Sequence, residues 1–178
     1  MLSPHRCRCA GCILLSHRAA SEDLLGNDGI VRGLLRHLYS DSVGMLLKFL
    51  LGLPCVPGAR VDHEPVVALR DVVGGASPLL CAAVRELLRA DDAAQDVCGL
   101  LCALCDHLPS QPDALELSAA FMHVVVPLLP TLLADVAHPP AAAHAMPAEV
   151  HGASAAATLQ FLSSCLQMEQ RCEALRQE

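Results

Sequence analysis

Apolar residues recur every three or four positions along most of this chain, which is the spacing of one face of an α-helix. Arg32 and Arg36 fall largely on the side opposite the first clear apolar face, which consists of Ile30, Val31, Leu34, Leu35 and Leu38. No stretch alternates apolar and polar residues as a half-buried strand would, and the valines at 124–126 lie in a helical context. The pattern therefore predicts an all-α fold.

Turn and capping residues divide this pattern into about seven predicted helices. Ser77 and Pro78 form the strongest start signal, because Ser caps a helix and Pro fits its first turn. Pro127 and Pro130 fall inside the sixth predicted helix, so we expect that helix to kink or split there. The predicted ranges are 28–39, 43–53, 63–73, 77–89, 93–108, 112–137 and 150–176.

Two-helix units bury their apolar faces by stacking on neighbours, and two predicted pairs have this form, namely 28–39 with 43–53 and 77–89 with 93–108. The sequence contains no strict internal repeat. We predict an ARM/HEAT-like α-solenoid over residues 21–178, preceded by a flexible Cys-rich arm at 1–20. Because the last predicted helix has no stop signal, we expect a fragment of a longer solenoid or a solenoid capped by another molecule.

Composition supports a helical core and excludes one class of partner. Hydrophobic residues make up 53% of the chain, charged residues 17% and aromatic residues only 2%, so few side chains are suited to covering a β-sheet. The formal net charge is −7. An acidic chain with almost no aromatic residues lacks the basic and stacking surfaces that nucleic acids require. We therefore predict no nucleic-acid partner.

Membrane and targeting signals are weak in this sequence. The most apolar stretch, 121–136, is interrupted by one His, two Pro and one Asp, whereas a spanning helix needs about 20 mostly apolar residues. The apolar segment at 10–15 is short for a signal peptide. We therefore expect no transmembrane segment. The expected location is the cytoplasm and also the nucleus.

Two clusters of cysteine invite a metal or redox interpretation. The first has four zinc-type ligands within eight residues, but no second pair follows at a suitable distance; its members are His5, Cys7, Cys9 and Cys12. An N-terminal arm that binds metal or is acylated on these cysteines is one alternative for the function of the chain. The second cluster is Cys98, Cys102 and Cys105, whose spacing places all three on one face of a helix with leucines. Core packing is the favoured interpretation of this second cluster.

The sequence contains none of the common catalytic motifs. We find no nucleophile elbow, P-loop, Gly-rich dinucleotide loop or H-E-x-x-H helix. The prediction is a protein that is not an enzyme and that uses no cofactor and no metal.

One segment, 33–53, resembles a known family. A helix that ends Leu-Leu-Arg-His at 34–37 is followed by a Ser-Asp-Ser turn at 40–42, and a second helix carries Met-Leu-Leu at 45–47 and then Leu50. This order is similar to a segment of SAPS-domain proteins, which are regulatory subunits of protein phosphatase 6. Two further segments follow the order of helices in that family. Residues 77–89 are similar to one of its helices, and residues 148–168 are similar to a later one.

The resemblance implies a regulatory scaffold of helical repeats that holds a Ser/Thr phosphatase catalytic subunit and directs it to substrates. The family has no catalytic residues of its own. Independently of the resemblance, the first helix pair carries the main basic group of the domain, which we predict to contact an acidic partner surface: Arg32, Arg36, His37 and Lys48. A solvated polar face is the alternative for these four residues, and a generic ARM/HEAT-like interaction module with another partner is the alternative for the function.

Overall fold

A computed structural model describes residues 25–54, 68–73, 78–87, 94–137 and 148–177. All regular secondary structure in these residues is helical, and they contain no strand, which confirms the all-α prediction and about seven helices. Two short 3₁₀ helices, Leu108–Ser110 and Val126–Leu128, follow the fifth and sixth α-helices. In the described ranges the α-helices are α1 (Asp28–Arg36), α2 (Asp41–Leu50), α3 (Leu69–Val73), α4 (Pro78–Leu87), α5 (Ala94–His107), α6 (Ala114–Val125), α7 (Leu129–Ala137) and α8 (Ala148–Gln177).

Local capping chemistry explains where α1 begins and where α2 ends. The Asn27 side chain accepts hydrogen bonds from the backbone N–H groups of Gly29 and Ile30, at 3.0 and 3.2 Å, and so caps α1. After α2, Gly52 has a φ of 65°, a left-handed conformation that glycine adopts without steric cost. The N–H of Leu53 donates to the Lys48 carbonyl at 2.8 Å, which completes a Schellman ending.

The predicted break in the sixth helix is confirmed. The 3₁₀ helix Val126–Leu128 separates α6 from α7, and it contains Pro127, which has no N–H to donate to the preceding turn. Pro130 lies in the first turn of α7, where its missing N–H costs nothing. The third predicted helix is described only over Leu69–Val73, because 55–67 lie outside the described residues, as does the predicted arm at 1–20.

The helices pack in an order that differs partly from their order in the chain. α1 packs mainly on α4, α4 packs on α5, and the most extensive contact joins α5 to α8. α8 also contacts α4, α6 and α7, and the short α3 contacts α4 and α6. The predicted pairing of α4 with α5 is therefore present. The predicted pairing of α1 with α2 is not, because the main neighbour of α1 is α4. Stacking as an ARM/HEAT-like solenoid stays a prediction.

The core is one continuous cluster of leucine, valine, alanine and cysteine side chains, which runs from Leu25 to Cys172. Its largest members are Phe121 of α6 and Phe161 of α8, both fully buried. Their rings meet edge to face, with centroids 6.4 Å apart, in an arrangement that aromatic pairs favour. These two phenylalanines fix α8 against the middle of the core.

Candidate functional site

A groove of about 370 Å³ opens between α2 and the first half of α5. The two helices are far apart in sequence, so only the folded chain brings their side chains together. The turn before α2 and α2 itself contribute Leu38, Asp41, Gly44, Met45 and Lys48, and α5 contributes Gln95, Asp96, Gly99 and Leu100. The described lining holds no Ser, Cys or His, so it presents neither a common nucleophile nor an imidazole base.

Charge in this groove is arranged as one cation and two anions. Lys48 is the only lysine of the chain, its side chain is half-buried, and it has no ion-pair partner among the residues that the structure describes. Asp41 and Asp96 are exposed carboxylates in the first turns of α2 and α5, where negative charge is favoured by the helix dipole. The groove lining therefore combines apolar side chains with one cation and two anions, which suits contact with another protein.

The structure separates the four predicted partner-binding residues. Lys48 lines the groove, whereas Arg32, Arg36 and His37 do not. Arg32 forms an ion pair within α1 at 2.8 Å, and Arg36 is exposed. His37 contacts the hydroxyl of Tyr39 through Nδ1 at 3.1 Å. The basic group predicted from the sequence is therefore spread over α1 and the groove.

A second cluster lies on the other side of α5, where it faces α8. We call it the thiol seam; its members, all buried, are Cys98, Cys102 and Cys105 of α5 and Cys165 and Cys172 of α8. The prediction that the three cysteines of α5 share a buried face is confirmed. No group of three residues able to hold a metal ion occurs in the described part of the chain. The N-terminal cluster of His5, Cys7, Cys9 and Cys12 is outside that part.

Hydrogen bonding gives the neighbouring thiols of Cys98 and Cys102 different acidities. Cys98 Sγ donates to the Ala157 carbonyl of α8 at 3.0 Å and lies 3.7 Å from Cys102 Sγ. The hydrogen bond between the two thiols lowers the pKa of Cys102 to about 7, and Ser164 acts in the same direction against the effect of burial. The same thiol contact, together with burial, raises the pKa of Cys98 far above that of a free thiol. Of the two thiols, Cys102 is therefore the more readily deprotonated.

The remaining thiols connect α8 to its neighbours. Cys105 Sγ of α5 lies 4.0 Å from Cys165 Sγ, and this contact, with burial, raises the pKa of Cys105. Cys172 donates to the hydroxyl of the buried Ser118 of α6 at 3.1 Å. Cys165 and Cys172 lie outside the two cysteine clusters that the sequence indicated. Their separation of seven residues places both on one face of a helix and could have indicated the seam.

One histidine lies at the end of α5, beyond the seam. Burial lowers the pKa of His107, because desolvation disfavours the charged imidazolium. Gln111 Nε2 lies 2.8 Å from His107 Nε2, and an amide N–H can donate only to a ring nitrogen without a proton. Both observations favour neutral His107.

Length and composition identify one described helical stretch that could cross a membrane, Ala114–Ala134, and 28% of it is buried in the fold. The 3₁₀ turn at Pro127 lies within it. A core helix of a soluble protein meets the same criteria, so this finding assigns no membrane role.

Comparison with known protein families, with curated proteins and with solved structures finds no match. The roles of the groove and the thiol seam are therefore inferred from their geometry alone.

Proposed function

We propose that this protein is a non-catalytic helical scaffold, and that the groove between α2 and α5 docks a Ser/Thr phosphatase catalytic subunit of the protein phosphatase 6 type. One observation carries the proposal. Segment 33–53, which resembles the SAPS-domain family, supplies every lining residue on the α2 side of the groove. The segment that suggests the partner is thus also the segment that forms a docking surface.

Physical chemistry supports a protein partner at this place. Lys48 is half-buried and has no ion-pair partner in the part of the chain that the structure describes, so it gains most from a carboxylate or phosphate brought by another molecule. Leu38 and Leu100 provide apolar area, and the flexible thioether of Met45 adapts to an irregular surface. The described lining has no evident catalytic constellation, which favours binding over turnover. If the helices stack as an ARM/HEAT-like solenoid, this groove is one part of a longer binding surface.

A generic interaction module with another partner is the second candidate. The groove favours it as much as the first candidate does, because a lining of apolar and charged residues is typical of a protein-binding surface and does not specify the partner. The two candidates differ only in the partner, so the test uses a defined one.

The test measures binding of the purified full chain to the purified catalytic subunit of protein phosphatase 6. We expect the wild-type chain to bind and K48E to bind at least about tenfold more weakly, because the substitution places a third anion in the groove and removes its cation. R85E is the matched control, since Arg85 is an exposed cation on α4 away from the lining. It should bind as the wild type does.

Three results would decide between the candidates. Absence of binding by the wild-type chain would contradict the phosphatase partner. Equal binding by K48E and the wild type would contradict the groove as its docking site. A different protein that binds the wild-type chain and loses affinity with K48E, but not with R85E, would support the generic module.

A further inference from the structure

The thiol seam contains two close pairs of sulfur atoms, and they differ in what they join. Cys98 and Cys102 lie on the same helix, with Sγ atoms 3.7 Å apart. Cys105 and Cys165 lie on facing helices, with Sγ atoms 4.0 Å apart and sixty residues between them in the chain. Both members of the second pair are buried, and both are reduced.

Helix geometry disfavours oxidation of the closer pair. A disulfide requires Cβ atoms about 3.5–4.5 Å apart, whereas side chains four residues apart on a helix have Cβ atoms about 5–6 Å apart. Linking Cys98 to Cys102 would therefore distort α5. The pair between helices is not held at that fixed spacing, because its two residues lie on different helices and their Sγ atoms are 4.0 Å apart.

We infer that Cys105 and Cys165 form a reversible disulfide under oxidation by a peroxide, which joins α5 covalently to α8. Hydrogen peroxide first oxidises the thiolate of Cys165 to a sulfenic acid, with release of hydroxide, because the raised pKa of Cys105 disfavours the thiolate at that position. The second sulfur then attacks the sulfenic sulfur, the S–S bond forms, and the sulfenic oxygen leaves as water. In total two thiols and one hydrogen peroxide give one disulfide and two waters, because the hydroxide takes up the proton that the first thiol lost. A dithiol reductant reverses the link.

The expected consequence is a more stable contact between α5 and α8. Closing a loop of sixty residues restricts the unfolded chain strongly, and for a domain of this size the effect is a rise in Tm of roughly 10 °C. The link joins the two helices that already share the most extensive contact, so the native arrangement has little to change.

The experiment treats the folded full chain with hydrogen peroxide, blocks the remaining thiols by alkylation, and maps disulfides by mass spectrometry without reduction. A protease that cuts after Asp and Glu is needed, because no Lys or Arg occurs between Arg89 and Arg171. Cleavage gives peptide 97–106, with the three cysteines of α5, and peptide 150–169, with Cys165. We expect these two peptides to be linked, and Tm to rise on oxidation and return on reduction.

Variants assign the link to its sulfurs. C105S and C165S should each abolish the linked peptide and the rise in Tm, whereas C102S and C172S should retain both. A melting curve under reducing conditions shows that each variant is folded before oxidation. Absence of the linked peptide in the wild-type chain, or its persistence in C105S, would overturn the inference.

Discussion

A contact face between two helices and a whole helical stretch of this protein differ in how much of their surface is buried. Along the contact between α5 and α8, apolar and thiol side chains from both helices are buried. The stretch Ala114–Ala134 is apolar enough to cross a membrane, but only 28% of it is buried. Leu133, for example, is 53% exposed. The difference shows that the helix packed against a face decides its burial, and that apolar content alone does not.

The same contrast occurs within a single helix. The face of α8 that meets α5 carries Phe161, Cys165 and Met168, all buried. The opposite face carries Leu159 and Leu166, which are 52% and 66% exposed. α8 therefore has apolar residues on both faces, and only one face has a described partner helix.

The largest expected effect tests the buried face of α8. Phe161→Ala should lower the free energy of unfolding by about 3–5 kcal/mol, because it removes a fully buried ring and its edge-to-face contact with Phe121. Leu159→Ala, in the same helix, should change the free energy of unfolding by less than about 0.5 kcal/mol. Chemical denaturation of both variants measures the difference. Similar losses would mean that α8 does not present these two faces as described.

A second pair of variants tests α7, where a buried and an exposed leucine are adjacent. Leu132 is fully buried and Leu133 is half-exposed. Leu132→Ala should cost about 2–4 kcal/mol through the cavity that it leaves, and Leu133→Ala less than about 0.5 kcal/mol. Urea unfolding of the two variants provides the comparison. Equal costs would show that the exposed side of α7 is covered in solution.

The smallest expected effect concerns pH and His107. Its folded pKa is lowered from 6.5 by burial, so between the folded value and 6.5 the unfolded chain binds more protons than the native chain. This contribution to stability is present above pH 6.5 and is lost as the pH falls through that range. We expect Tm to decrease between pH 7.5 and pH 5.5, with a smaller decrease in H107Q. A variant with the same pH dependence as the wild type would rule out His107 as the cause.

Sequence patterns predicted the features that depend on neighbouring residues. The break at Pro127 and the shared face of Cys98, Cys102 and Cys105 follow from proline and from helical geometry within a few positions. Such patterns do not predict which helices pack together when they are far apart in the sequence. A periodic apolar face shows that a helix has a partner, but not that α8 returns to α5 or that α1 meets α4.

The candidate site was predictable to the same extent. Lys48 was selected by its charge, and the structure places it in the groove. Asp96 and Leu100, which face it from α5, carried no signal, because the groove exists only where two distant helices meet. Arg32 and Arg36 were selected with Lys48 by the same argument from charge, which does not show where a side chain lies in the fold.

Hydrogen–deuterium exchange of the full chain, with and without the purified phosphatase catalytic subunit, tests the docking proposal most directly. We predict slower exchange on binding in two segments separated in sequence, 38–48 and 95–100, and unchanged exchange in the exposed half of α7. Slower exchange in only one of these segments, or in neither while the partner is bound, would contradict docking at the groove between α2 and α5.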